Sequence, residues 1–224
     1  MQNWISGFMD NDSLFGRLMT RVYVIVGANL MFVLFSIPVI TTGAAYTALL
    51  TVMMKALRGD GDINPFKEFL LGFKENWKQS GISFLILAGA AGFLLADLRI
   101  IRAAGGSMEI LYYPTLAALI LVLVISLYLF PTIAAFRDTL PHLVRNAIFF
   151  AVRRIWSIPI LLVAYVFPLA LTYTDRDLLP LYAFCWTVFG FGALAMLSSS
   201  LLLPVMEPYL APRTEQEQDN DNET

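Results

Sequence analysis

Uncharged apolar runs of helix length alternate along this chain with short charged blocks, and that alternation sets out the elements. Residues 22–54 carry no charge at all. As one straight helix the run would reach roughly 50 Å at 1.5 Å per residue, against ~30 Å of bilayer hydrocarbon. Pro38 removes a backbone donor, and Thr41-Thr42-Gly43 offers short polar residues and a glycine free to take positive φ. Two antiparallel membrane helices follow as the expectation, 22–40 and 44–57.

Four further apolar runs, 80–101, 112–136, 155–173 and 178–206, bring the expected crossings to six. In the third, Ala88, Gly92 and Ala96 recur at four-residue spacing, a pattern that lets a neighbouring helix approach closely. Between the crossings lie two blocks with a 3.6-residue period. In the first, Phe66, Phe69, Leu70, Phe73 and Trp77 share one side and the lysines and glutamates the other, with Asn64 as cap and Pro65 at the first helical position. In the second, 137–154, Leu140, Leu143, Val144, Ala147, Ile148, Ala151 and Val152 oppose His142, Arg145, Asn146 and Arg153. Both are expected as amphipathic surface helices, separate from the crossings.

The fold class is therefore all-α, a polytopic helical membrane protein with about six transmembrane helices and cytoplasmic amphipathic helices. Residues 1–21 read as an interfacial segment in which Asp12 or Ser13 caps a short helix carrying Leu14, Phe15, Leu18 and Met19, not as a cleaved signal peptide. Residues 22–210 form the helical membrane domain. Residues 211–224, acidic and amide-rich, are expected to be disordered.

Composition agrees with the pattern: 58% of residues are hydrophobic, 14% are charged, and mean hydropathy is +0.69. A net charge of −2 with no basic face argues against nucleic acid as a partner. With the N-terminus inside, twelve of the fifteen lysines and arginines fall on the cytoplasmic side, leaving Arg99, Arg102 and Arg176 outside. The positive-inside rule then sets both termini in the cytoplasm. Were 44–57 re-entrant instead of spanning, everything after it would change sides and the two basic blocks would face opposite compartments.

Gly7-Phe8, the stretch from Ser13 to Arg17, Arg21, Asn29, the segment Ser36-Ile-Pro-Val-Ile-Thr-Thr-Gly-Ala44 with Thr47-Ala48-Leu49, and Phe69, Phe73, Lys74 and Asn76 together resemble the YesL-like family of bacterial integral membrane proteins. The likeness is densest over the first 80 residues. It implies a multi-pass protein of the bacterial plasma membrane that accompanies sugar uptake and polysaccharide degradation, in a family without an assigned activity.

No catalytic constellation stands out. His142 has no second histidine, cysteine or carboxylate cluster to build a metal site with, and no phosphate-binding or dinucleotide loop occurs, so neither a cofactor nor an enzyme is expected. Candidate intramembrane polar residues are Asn29, Asp97, Arg99 and Arg102, because polar groups at membrane depth are costly unless partnered. Asp97 is expected to pair with Arg99 or Arg102. Candidate partner contacts lie on the two amphipathic helices, at Phe66, Phe69, Phe73, Trp77, Arg145 and Arg153. Asn146-Ala147 with Ile158-Pro159 echoes the coupling-loop motif of ATP-driven permeases, although Leu140, Arg145 and Asn146 stand where that motif has glutamate, aspartate and glycine. Two functions follow: an accessory, non-enzymatic component beside ATP-driven sugar transporter subunits, or a permease-like subunit forming part of a translocation path.

Overall fold

The computed structural model describes residues 14–59 and 63–210; the expectations for residues 1–13 and for the acidic tail fall outside the described residues. Helix α1, Leu14–Phe35, runs without a break past Arg21, so the short interfacial helix expected over its first turns is continuous with the crossing. Neither a proline nor a capping residue at positions 21 and 22 is there to stop it. Pro38 then ends the run, and a 3-10 turn, Val39–Thr41, leads into α2, Thr42–Arg58. Thr41 holds the turn, its hydroxyl donating to the Phe35 and Pro38 carbonyls at 2.6 and 2.7 Å. Gly43 serves a different purpose from the one expected of it: its backbone is helical, and positive φ among the described residues belongs to Gly59, Gly105 and Gly106. What Gly43 supplies is room. A Cβ there would lie 2.4 Å from the Cβ of Phe84 and 2.5 Å from the Ser80 carbonyl oxygen.

Helix α2 is the centre of the molecule, with Ala45, Ala48, Leu49, Leu50, Val52 and Met53 fully buried. Beside it runs α3, Pro65–Ala104, a single helix of 40 residues and roughly 60 Å, about twice the hydrocarbon thickness. The Asn64 side chain caps it by accepting from the Phe66 and Lys67 amides, with Pro65 at the first helical position. The sequence pattern placed a break near Gln79 between a surface helix and the third crossing, and the structure has none. No proline lies there, and the Ser83 hydroxyl returns to the Gln79 carbonyl at 2.8 Å within the continuous helix.

Along its polar first half α3 packs antiparallel to α2. Lys55 pairs with Glu68, Gly72 faces Ala48 and Thr51, and Ser80 with Phe84 closes on Gly43. Close approach thus occurs at Gly43 and Gly72, whereas the Ala88, Gly92, Ala96 stripe is exposed and a Cβ on Gly92 would meet nothing within 4 Å.

A connection through Gly105 and a 3-10 turn, Gly106–Leu111, leads to α4, Tyr112–Ala135, which returns antiparallel along the apolar second half of α3. The chain continues through α5, Leu140–Arg153, and α6, Ser157–Thr174. The last crossing, expected as one helix, is divided into α7, Leu179–Cys185, a π-helical turn, Trp186–Gly190, and α8, Phe191–Met206. Six helical stretches are long and apolar enough to cross a membrane, and no strand occurs among the described residues. The chain has the fold of a polytopic helical membrane protein.

Two contiguous cores hold it together. One joins Val24, Ala28 and Phe32 of α1 to α2 and to Phe69 and Ala195. The other joins Met54, Tyr128, Leu129 and Ile133 to Leu143, Ala147, Leu161, Leu202 and Met206. On α5 the inward face is Leu143, Ala147, Phe150 and Ala151, while Ile148 and Val152, expected on that side, turn outward.

Candidate functional site

Asn29 is fully buried, and its side chain is wholly engaged with the interrupted last crossing. The Nδ2 group donates to the Trp186 carbonyl at 3.1 Å and the Thr187 carbonyl at 2.6 Å, and Oδ1 accepts from the Gly192 amide at 2.8 Å. A π-helical turn displaces the regular i→i−4 ladder and frees backbone groups. Asn29 bonds three backbone groups at this turn, and Gly192 permits the approach, since a Cβ there would lie 2.9 Å from the Ile25 carbonyl. Trp186 is fixed in turn by its indole N–H, which donates to Thr172 at 3.0 Å.

A second polar chain links three helices through the interior. Tyr46 of α2 shares a hydrogen bond with Tyr165 of α6, whose hydroxyl meets Ser198 of α8 at 2.8 Å. Nothing in the sequence pointed to this chain, because its members lie far apart in apolar runs. The usable signal was a tyrosine in the middle of such a run, since a buried hydroxyl has to find a partner.

Asp97 does not pair with an arginine. Its carboxylate accepts from Thr115 at 3.2 Å, and Arg102 lies over the Tyr112 ring and donates to its hydroxyl at 2.6 Å, both contacts joining the α3 and α4 ends. Arg99 is exposed and makes no ion pair among the described residues. The four candidate intramembrane residues therefore do not converge. Asn29 works at α1 against the π turn; Asp97 and Arg102 work at the far end of the α3–α4 hairpin.

The amphipathic candidates divide in the same way. Phe69 is fully buried and Phe73 partly so; both rings pack on Phe35 of α1, at 5.6 and 5.0 Å, and are core. Their side of the helix was read correctly as apolar, but α1 and α2 already cover it. Phe66 and Trp77 remain exposed, Trp77 at 53%. Arg145 is exposed, and Arg153 donates to Tyr209 and lies over the Tyr209 and Phe149 rings.

Two clefts open near α5, one between α3 and the turn before α5, the other between α5 and the segment that follows α8. One, of about 560 Å³, is lined by residues 74–79 with Arg137 and Asp138. It is bridged at its rim by Arg137 to Glu75 at 2.8 Å and by Gln79 to the Asp138 carbonyl at 2.9 Å. The Asp138 carboxyl is held below the usual carboxylate range, first by the Thr139 backbone N–H and then by His142, 3.1 Å away. The other cleft, of about 470 Å³, is walled by Phe136, Phe149, Phe150 and Tyr209 and carries Arg145 and Asn146. Neither is lined by Asn29, Asp97 or Arg102. Among the described residues no group of three or more histidines, cysteines or carboxylates is placed to hold a metal ion.

Residues 25–98 match a family described as a protein of unknown function, DUF624. Over 129 residues the chain is 30% identical to the uncharacterized protein YesL of Bacillus subtilis (strain 168), a match that takes in 56% of this chain and 61% of that protein. No solved structure matches the chain. The matched segment contains α2, half of α1 and most of α3, including Asn29 and the Gly43, Gly72 and Ser80 contacts.

Proposed function

Taking the chain as a member of the YesL-like family of membrane proteins of unknown function, we propose that it is a non-enzymatic accessory component of a bacterial carbohydrate uptake or utilisation system. In this reading it sits in the plasma membrane with both termini in the cytoplasm. It presents the charged cleft of residues 74–79, Arg137 and Asp138 to a subunit of an ATP-driven sugar transporter. The carbohydrate setting comes from the family resemblance; the mode of action comes from the site.

One observation carries the reading. In the interior, Asn29 and the Tyr46, Tyr165 and Ser198 hydroxyls are engaged with the protein's own backbone and hydroxyls, and the buried groups left without a hydrogen-bond partner among the described residues, Ser36, Ser80 and Ser199, are uncharged; the open, charged and aromatic surface lies in the cleft beside the half-exposed Trp77. Lys74 and Lys78 have no ion-pair partner among the described residues, and the Lys78 ammonium lies over the Trp77 ring at 5.9 Å, which presents two cations and an indole to an acidic partner surface. A permease-like subunit would need Asn29, Asp97 and Arg102 around a common cavity, and each has a separate partner elsewhere.

The test is purification of the tagged full chain from its native host in mild detergent, with identification of the proteins that accompany it. A sugar transporter's permease or ATPase is expected to co-purify. The double variant Lys74→Glu, Lys78→Glu is expected to lose it at unchanged protein level. Recovery of the protein alone, or of a complex indifferent to the double variant, overturns the proposal.

A further inference from the structure

The aromatic cleft beneath α5 has a composition that the partner reading does not use. Phe136 and Phe150 stack at 5.7 Å with an interplanar angle of 15°, and Tyr209 packs edge-on against Phe149 and Phe150 at 5.8 and 5.7 Å. The walls are thus fixed by ring contacts, not by loose side chains. Arg145 and Asn146 stand in the lining, and Arg145 has neither an ion pair nor a hydrogen bond among the described residues. Arg153 is held next to the cleft by Tyr209 and Phe149. From Leu140 to Arg153 the helix contains no acidic residue.

Around this basic, aromatic-walled space the surface is apolar. Ile148, Phe149, Val152, Ile155 and Trp156 are all exposed, Trp156 at 82%. A helix that keeps its arginines together and turns large apolar side chains outward suits the boundary between headgroups and acyl chains. Basic pockets at that depth recognise anionic headgroups, at about 1 kcal/mol for each basic residue.

We propose that this cleft is a binding site for an anionic phospholipid. Arg145 and Asn146 contact the phosphate, Arg153 adds charge at the rim, and the acyl chains run over Phe149, Val152 and Trp156.

The experiment is native mass spectrometry of the full chain released from micelles that hold equal amounts of phosphatidylglycerol and phosphatidylcholine with matched acyl chains. Wild type is expected to retain phosphatidylglycerol several-fold over phosphatidylcholine. Arg145→Gln should lower that preference about fivefold, Arg145→Lys should keep most of it, and Arg99→Gln, at an exposed arginine away from the cleft, should leave it unchanged. Equal retention of the two lipids overturns the proposal, and so does an Arg145→Gln result no different from Arg99→Gln. Displacement of phosphatidylglycerol by millimolar inorganic phosphate also overturns it, because the site would then take a free anion. A rise in lipid retention when Glu215 and Glu217 are replaced by glutamine, with no effect at Arg145, would make the acidic tail the occupant. A melting temperature for each variant separates loss of lipid from loss of fold.

Discussion

Asn29 shows how one side chain can set the geometry of two helices. Membrane interior offers no water to satisfy the backbone groups that a π turn releases, so the amide must do it from the neighbouring helix. Replacing Asn29 with leucine removes its hydrogen bonds to the Trp186 and Thr187 carbonyls and the Gly192 amide. The expected cost is about 1–3 kcal/mol, read as a lower melting temperature of the detergent-solubilised protein by fluorescence-detected size exclusion. A variant that melts with wild type would mean the turn has other support. The glycines make a sharper pair. Gly43→Ala would drive a methyl group into Phe84 and the Ser80 carbonyl and should cost about 1–3 kcal/mol by overpacking, whereas Gly92→Ala, with nothing within 4 Å, should be neutral. Equal melting of the two variants would remove Gly43 as the contact that closes α3 on α2. The sequence marked Asn29 as buried and polar but held no sign of its partner, 157 residues away. It marked Gly43 for the wrong reason, because a glycine chosen for close approach and one chosen for positive φ look alike in a string of letters.

Among the elements, α3 departs furthest from the sequence pattern. Hydropathy divides it near residue 79, since charge stops there and apolar content rises, yet no proline or cap stands at that point and the backbone continues through Gly81 as one helix. Polarity reports the medium around a helix, and only proline, glycine and caps report its ends. Where such signals exist they were legible: Asn64-Pro65 starts α3, and Pro38 ends the first arm of the hairpin. Asn64→Ala should therefore cost about 1 kcal/mol of stability, and an unaltered melting temperature would show that the cap is dispensable. The start of α5 offers a pH-dependent counterpart. The folded-state pKa of Asp138 is depressed, so its contribution is present above the unfolded carboxylate value, near 3.9, and is lost as pH falls through the lower folded value. Wild type should melt above Asp138→Asn at neutral pH, and the gap should close below about pH 4. A gap that persisted or widened there would contradict the assignment. The inward side of α5 was only half legible. Period alone grouped Ile148 and Val152 with Leu143 and Ala147, and only the position of α4 shows that Phe150 replaces them.

At the scale of the whole molecule, the sequence conveyed helix number and class well because the bilayer imposes both, but it could not convey which helices adjoin. That α2 is central, flanked by the polar half of α3 and linked through Tyr46 and Tyr165 to the last two crossings, comes from packing alone. Sidedness rests on charge, and α2 is where it is most exposed to test. The tip of the α1–α2 hairpin carries Ile37, Val39 and Ile40, apolar and largely exposed, so its depth decides whether the hairpin traverses the bilayer. In a Cys185→Ser background, single cysteines at Val39, Lys78 and Arg176 can be probed in intact cells with a membrane-impermeant maleimide. Six crossings with a cytoplasmic N-terminus predict labelling from outside at Val39→Cys and Arg176→Cys, and at Lys78→Cys only after permeabilisation. Labelling of Lys78→Cys in intact cells would reverse the orientation if Val39→Cys and Arg176→Cys were both protected, and would make 44–57 re-entrant if Val39→Cys were labelled as well. Protection of Val39→Cys with Arg176→Cys still labelled would mean that the hairpin turns back within the membrane, which leaves every later segment on its expected side because α2 returns to the face from which α1 entered.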